Sequence, residues 1–412
     1  FDEKRYFKPG TENSMLLRLH SHTIAFCICE DLWQARAIES IIKHPADILV
    51  CINASPFEID KFEARLDLLK PYQGHQLNLI YVNLVGGQDE LVFDGQSFVL
   101  DANGHIKAKA PAFREAILSV EITPKSIQGV IATAPINTAL TYEALKTGLS
   151  EYVKKNNFKG VLLGLSGGID SALVLTLAVD ALGADAVHPL LLPSRYTSDI
   201  SVDDASQLIN DLGIPQSNLI SIEQGFEALL NTIEPTLPDQ ILPDIAAQNL
   251  QARLRGTILM AYSNSLNKLL LSTSNKSESA VGYTTLYGDM CGGFAPIKDV
   301  PKTWVYKLCE YRNTLSENPV IPERIITRSP SAELAHNQTD QDSLPDYETL
   351  DAIIALYRNE QLSIEEITEQ GFDANTVQKV VKLIQRNEYK RRQSPPGTKI
   401  TKYAFGRDWR YP

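Results

Sequence analysis

Apolar positions follow two periods along this chain. Short apolar runs closed by turn residues predict strands, and apolar positions three or four apart predict helices. Runs at 21–29, 48–52 and 77–82 predict strands. A helical pattern follows the first of them to about residue 42, and a charged one spans about 58–69. Residues 97–109 predict a hairpin turning at Asn103-Gly104, because that dipeptide accepts the left-handed backbone of a tight turn. Residues 110–135 carry prolines and small residues without sustained periodicity and read as a connection with its boundary near 131–137. Beyond it periodic segments resume. Residues 141–155 predict an amphipathic helix with Leu145, Leu149 and Val153 every four positions. Strands at 161–163, 186–192, 218–222 and 268–272 then alternate with helices at 172–178, 201–212 and 246–266. Such alternation implies a parallel, doubly wound sheet with ligands at the carboxyl ends of its strands. The expected organisation is one domain at 1–120, a connection at 121–137 and a second domain at 138–412.

One stretch organises the second part: Gly164-Leu165-Ser166-Gly167-Gly168-Ile169-Asp170-Ser171, between a strand and a helix. Adjacent glycines let the backbone bend sharply and approach a ligand. N–H groups at the turn and helix start converge where the helix dipole favours negative charge. Ser166 and Ser171 add hydroxyls, and together these predict a phosphate cradle. It is not a Walker A loop, because the GK[ST] ending is missing. Asp170 beside a polyphosphate makes sense when Mg²⁺ lies between them. The ordinary alternative is a serine–glycine turn that only joins strand to helix. Glu278, emerging after the strand at 268–272, reads as a second Mg²⁺ ligand or as the acid behind a polar helix N-cap; both can hold at once. The glycine-rich stretch 282–296 predicts a flexible loop over a site, followed by Lys298 and by Lys302, which is spaced to meet a phosphate.

In the first part, Cys29 ends an apolar run just before Glu30-Asp31. A thiol at a strand end and helix mouth is placed for a lowered pKa and attack on a carbonyl. Cys27 and Cys51 read as core thiols.

Composition narrows the classes. A chain of 412 residues suits two or three domains, and 43% hydrophobic with 22% charged residues is ordinary for a globular protein. A net charge of −11 argues against nucleic acid as a main partner, while nucleotides need only a local cluster. No apolar run approaches the roughly 18 residues that span a bilayer, and no signal-peptide pattern opens the chain. Five scattered cysteines, including Cys291 and Cys309, do not make a disulfide framework, which points to a reducing cytoplasm. The chain opens mid-motif at Phe1, so a further part is expected upstream.

The loop resembles the SGGxDS pyrophosphate loop of the N-type ATP pyrophosphatases, which cut ATP between its α- and β-phosphates. The stretches CEDLW, NASPF and YVNLVGGQDELVFDGQSFVLDANG resemble the nitrilase-like glutaminase domain of the glutamine-dependent NAD⁺ synthetases. LLPSRYTSD, NLQARLRG, STSNKSESAVGYTTLYGDMCGGFAPIKDVPKT and EYKRRQSPPGTKITKYAFGR resemble the synthetase domain of that family, so the likeness covers nearly the whole chain. It implies an α/β architecture: a C-terminal, Rossmann-like, doubly wound parallel sheet, preceded by part of an α/β/β/α nitrilase-like sandwich. It implies amidation of deamido-NAD⁺ to NAD⁺ through an acyl-adenylate, with ammonia from glutamine, releasing AMP and pyrophosphate.

By position, the resemblance makes Cys29 the nucleophile and puts glutamine on Glu30, Ser55 and Lys61, with Phe1 near another wall. It puts ATP on Gly164 to Ser171, Thr273, Lys302 and Ser331, deamido-NAD⁺ on Asn249, Glu278 and Lys390, and Mg²⁺ on Asp170 and Glu278. Lys390, in a basic cluster at 388–393, also reads as a helix end complementing its dipole. The polar stretch 329–347 reads as a lid that orders with ATP. Two departures limit the transfer. Ammonia-dependent relatives have lysine and aspartate where this chain has Leu286 and about Gly293, so those contacts do not carry over. The glutaminase triad also needs a glutamate and a lysine that precede the FDExRYF motif, and these are expected upstream of Phe1. The alternative is a synthetase using free ammonia beside an inactive glutaminase. Rival readings are another such pyrophosphatase, for example GMP synthetase, and a non-catalytic regulatory protein. Partners are expected to be small molecules, with neither nucleic acid nor membrane, for a cytoplasmic homo-oligomer.

Overall fold

In the computed structural model, which describes residues 5–8, 15–33, 46–73, 75–123, 126–335, 338–342, 344–406 and 408, the apolar runs become strands of two separate sheets. The chain divides into two units: Phe1–Gly86 with Val92–Leu140, and Gly87–Leu91 with Thr141–Pro412.

The first unit begins with an antiparallel pair, β1 (Met15–Leu19) and β2 (His22–Ile28). β3 (Ile48–Asn53) and β4 (Asn78–Asn83) add to β2 in parallel. β5 (Val85–Gln88) and β6 (Leu91–Asp94) pair with each other, and β7 (Phe98–Leu100) and β8 (Ile106–Lys109) finish the six-stranded order β1-β2-β3-β4-β7-β8. The period of two sorts the side chains. Cys27, Cys51 and Tyr81 face a core shared with Phe62, Leu66 and Leu69 of the helix Lys61–Leu69. Ile28, Ile52 and Val82, neighbours across the same strands, point the other way and are exposed.

Three local expectations change. The charged helix starts at Lys61, because Asp60 takes a left-handed backbone with φ 65°. The hairpin is present, but a loop at 101–105 replaces the two-residue turn; the Asp101 carboxylate organises it by accepting the Asn103 and His105 N–H groups. Within the stretch read as a connection, β9 (Val120–Ile122) and β10 (Ile127–Gly129) form a small antiparallel pair. The helical pattern at 34–42 lies outside the described residues, as does Phe1.

In the second unit the helix Asn137–Lys155 leads to β11 (Val161–Gly164). β12 (Val187–Leu191), β13 (Asn218–Leu219) and β14 (Leu269–Leu271) complete a parallel sheet of order β13-β12-β11-β14. β13 is shorter than the apolar run suggested. Helices Ile169–Leu182, Asp199–Asp211 and Asp244–Leu266 connect successive strands. Leu254, Ile258 and Leu259 of the long helix pack on Leu162, Leu190 and Leu270 of the sheet. Asp180 accepts the Tyr142 hydroxyl at 2.6 Å and two nitrogens of Arg312, so it ties together three helices. The helices Tyr347–Arg358, Ile364–Glu369 and Ala374–Arg386 close a further core with Lys276–Val281. Among the described residues, no helix is long and apolar enough to cross a membrane.

Candidate functional site

β11 runs directly into the glycine loop, with the helix Ile169–Leu182 behind it. Gly167 has φ +78°, and a Cβ there would lie 2.3 Å from the Ser201 carbonyl oxygen, so this bend admits only glycine. The two hydroxyls brace the loop. Ser166 Oγ and Ser171 Oγ are 3.1 Å apart, the Gly168 N–H donates to Ser166 Oγ at 3.2 Å, and Ser171 Oγ donates to the Gly168 carbonyl at 3.0 Å.

The loop opens onto a cavity of about 580 Å³ in the second unit. Every residue of 164–171 lines it, and so do Thr273, Glu278, Lys302 and Ser331. Asn249 and Lys390 line the same cavity. Tertiary folding thus gathers side chains from distant parts of the chain around one space.

At its floor lies an ionic cluster. Lys302 is 1% exposed, with its ammonium against the Asp170 carboxylate and 3.4 Å from Glu278 Oε1. Asn275 Nδ2 donates to the other Asp170 oxygen at 2.8 Å, while its Oδ1 caps the helix Lys276–Val281 by accepting the Glu278 N–H. Two carboxylates therefore share one ammonium. Burial first, and the Asp170 charge second, push the Glu278 carboxyl up to about 8 against the pull of Lys302. Burial also pulls on the Lys302 ammonium, but Asp170 and Glu278 outweigh it and hold that group above its ordinary value. Burial and the neighbouring Asp170 charge thus favour the protonated form of Glu278.

Lys302 is aimed by its backbone. Its N–H donates to Ser277 Oγ at 2.8 Å, and that hydroxyl donates to Asp351. The other Asp351 oxygen accepts the Thr303 N–H and hydroxyl, each at 2.9 Å. The carboxylate therefore caps the helix Lys302–Asn313 from a helix far along the chain.

The remaining expected residues are held more loosely. Asn249 Oδ1 accepts the Thr285 hydroxyl at 2.9 Å. Lys390 donates to the Gly282 and Thr284 carbonyls at 2.8 and 2.7 Å, and burial lowers its ammonium. Ser331 Oγ donates to the Gln338 carbonyl. The stretch 282–296 is packed down: Met290, Phe294 and Ala295 are buried, and Phe294 stacks on Tyr152 with ring centres 4.3 Å apart. Five charged lining residues among those described escaped the sequence reading: Arg255, Asp289, Arg328, Glu333 and Asp340. Burial pulls the Arg255 guanidinium down to about 10, with Glu333 opposing. Asp289 lines the cavity and accepts the Thr285 N–H at 2.6 Å, and desolvation pushes its carboxyl up to about 6. Arg255 and Asp289 fall inside stretches already singled out, but spacing carries no sign that they face the loop.

In the first unit, Cys29 follows the last residue of β2 and takes a left-handed backbone, φ 41°, at the start of a short 3-10 turn, Cys29–Trp33. Glu30 lies in that turn, and Asp31 accepts the Ile28 N–H at 2.9 Å. Ser55 lies just past the carboxyl end of the neighbouring strand β3. Lys61 opens the helix Lys61–Leu69 and pairs with Glu58 at 3.1 Å. This region also holds a buried pair that no motif announced. Asp94 accepts two nitrogens of Arg65 at 2.8 Å each and Gln96 Nε2 at 2.7 Å, and the Arg65 Nε donates to Ser55 Oγ at 3.2 Å. Cys27 and Cys51 are the core thiols expected: their mutual hydrogen bond and burial push the Cys27 thiol up.

Comparison with known proteins agrees with both halves. Residues 141–394 match the NAD synthase family and residues 1–132 the carbon–nitrogen hydrolase family. A glutamine-dependent NAD(+) synthetase from Aquifex aeolicus is 46% identical over 448 residues, covering 100% of this chain and 78% of that protein. One from Acinetobacter baylyi is 46% identical over 417 residues, covering 100% and 76%. The structure of the Acinetobacter baumannii glutamine-dependent NAD⁺ synthetase in complex with adenosine diphosphate superposes with TM-score 0.76 at 43% identity, covering 100% of this chain and 76% of that one. Identity sustained over the whole chain, across both a hydrolase-like and a synthase-like unit, is what a shared fold alone would not produce: the chain belongs to the glutamine-dependent NAD⁺ synthetase family.

Proposed function

We propose that this chain amidates deamido-NAD⁺ to NAD⁺ at the expense of ATP, with glutamine as the nitrogen donor; the two family matches and the full-length relatives support this. The single observation that carries the residue roles is the convergence of the glycine loop, the Asp170–Lys302–Glu278 cluster and Lys390 on one cavity.

In this reading the nicotinate carboxylate attacks the α-phosphorus of ATP. An O–P bond forms, the bond to the β-phosphate oxygen breaks, and pyrophosphate leaves. The N–H groups and hydroxyls of 164–171 hold that pyrophosphate, with Lys302, Thr273 and Ser331 on the nucleotide. Asn249, Glu278 and Lys390 hold the dinucleotide. Ammonia then attacks the acyl carbon, and AMP departs. The free NH₃ lone pair is required, and a glutaminase supplies it without protonation to NH₄⁺. Cys29 is the nucleophile of that step, with Glu30, Ser55 and Lys61 around the glutamine.

Mg²⁺ fits the donor set. Among the described residues no group of three or more acidic, histidine or cysteine side chains could hold a metal. Two carboxylates, Asp170 and Glu278, meet at Lys302, and Mg²⁺ is commonly held by one or two carboxylates with phosphate and water oxygens completing its shell. When bound there it would neutralise charge on the leaving pyrophosphate. The protein is further taken to work in the cytoplasm as a homo-oligomer, which sedimentation checks.

Deamido-NAD⁺, ATP and Mg²⁺ with either NH₄Cl or glutamine test the whole scheme. NAD⁺ and AMP are expected in equal amounts, and C29A should remove only the glutamine-driven part. Absence of AMP with both nitrogen sources would sink the synthetase reading.

A further inference from the structure

The expected phosphate contacts leave an arginine at the cavity unused. Arg328 lines it beside Ser201, whose carbonyl abuts Gly167 of the glycine loop. Its guanidinium is occupied by an internal anion. Glu333 Oε1 accepts from Arg328 Nη2, from Ser201 Oγ at 2.8 Å and from Ser198 Oγ at 3.0 Å. Arg328 Nη1 also reaches Ser201 Oγ at 2.7 Å, and Nη2 reaches Ser198 Oγ at 3.3 Å. One carboxylate oxygen thus sits in a nest of an arginine and two hydroxyls, the donor set that suits a phosphate oxygen.

Two features mark this as a place-holder. Glu333 has φ +48°, a left-handed backbone that L side chains rarely adopt and that surrounding contacts must enforce. It also lies in an irregular stretch, tied by Gln251 Nε2 to the Leu334 carbonyl at 3.1 Å and by the Glu333 N–H to Ser331 Oγ at 3.2 Å. Among the described residues, Arg255, a second guanidinium on the cavity, hydrogen-bonds the neutral Leu192 carbonyl and Ser194 Oγ, with Glu333 as its opposing charge.

We propose that Arg328 is a further phosphate ligand of the ATP site, and that Glu333 holds it in reserve as an internal stand-in anion until the polyphosphate displaces it. This rests on the reading that the glycine loop holds the triphosphate. ATP then binds against a competing contact, so its apparent affinity is reduced by the fraction of molecules in which Arg328 is engaged. Arrival of phosphate moves the carboxylate off, relaxes Glu333 and couples nucleotide binding to the stretch that carries Ser331.

Calorimetric titration of the full chain with inorganic pyrophosphate, and separately with ATP, both with Mg²⁺, tests this. E333Q keeps the shape and removes the charge, and should bind pyrophosphate about 3–10-fold more tightly than wild type. R328M should weaken it about tenfold and erase the gain when combined with E333Q. Equal or weaker binding by E333Q overturns the proposal. Should E333Q melt before titration, R328K in the native background decides: several-fold weaker pyrophosphate binding supports it, and unchanged binding overturns it. A wild-type chain that bound neither ligand would bring down the glycine-loop reading as well, whereas a binding wild type with no gain in E333Q brings down this inference alone.

Discussion

Two buried ion clusters, one in each unit, are built from the same kinds of side chain and differ in balance. Arg65 and Asp94 are each 1% exposed at the side chain, are joined by two bonds, and have their remaining capacity filled by Ser55, Gln96 and Asn83. One charge meets one charge, and no solvent-filled space is needed. Asp170, Glu278 and Lys302 put two acids around one base, and all three line a cavity. A closed, neutral pair fixes a fold, because breaking it strands a buried charge. An open, unbalanced cluster leaves work for a ligand, and its perturbed groups mark a functional site.

The sharpest break of the comparison is D94A. It should lower the stability of the first unit by about 3–5 kcal/mol, the usual cost of an orphaned buried charge. Hydrogen exchange across β3 and β4 would report it, with no direct effect on ammonium-driven synthesis. K302M should act chiefly on function, with kcat/KM for ATP falling about 10²–10³-fold and a stability loss smaller than that of D94A, because the carboxylates it leaves behind are more exposed and line the cavity. If K302M unfolds the second unit and D94A is silent, the distinction between the clusters is wrong. D351A should cost about 1–3 kcal/mol by leaving the Thr303 and Ser277 donors unpaired. It should lower kcat more than it raises KM, with partial recovery in D351N.

Glu278 supplies a pH test. Its carboxyl is raised in the folded chain, so the native state holds a proton that the unfolded state has lost. Its stabilising share is full below the ordinary carboxylate range and disappears as pH rises through about 8. E278Q mimics the protonated form. Wild type should therefore lose stability relative to E278Q between about pH 5 and 8, measured by chemical denaturation without nucleotide. The smallest effect is expected from S331A, about fivefold in KM for ATP, since one neutral hydrogen bond is worth about 1 kcal/mol.

Local chemistry was legible wherever one stretch of chain carried it. The strand, the glycine bend and the helix of 161–182 follow from apolar period and from the two adjacent glycines, and each appears in the structure. The helix Asp244–Leu266 and the strand β14 lie within two residues of expectation. Turn and cap details were less legible. Asp60 shortens a helix and Asp101 widens a hairpin, because an aspartate can satisfy local N–H groups or adopt a left-handed backbone where hydrophobic period is silent. The Arg65–Asp94 pair was invisible, since its members lie 29 positions apart with no spacing rule to join them.

What residue order determined was the inventory: two regions of strands and helices joined by an aperiodic connection, a phosphate-shaped bend, a thiol at a strand end, and acids and lysines in stretches typical of one family. Each of these is a property of neighbours along the backbone, where sterics and solvation act over a few residues. What only the folded molecule decided was pairing. Lys302 reaches Asp170 across 132 positions, Asp351 caps the helix that carries Lys302, and Glu333 faces Arg328, Ser198 and Ser201. Those meetings depend on how the helices pack around the parallel sheet, and electrostatic energy depends on distance and burial in space rather than on separation along the chain.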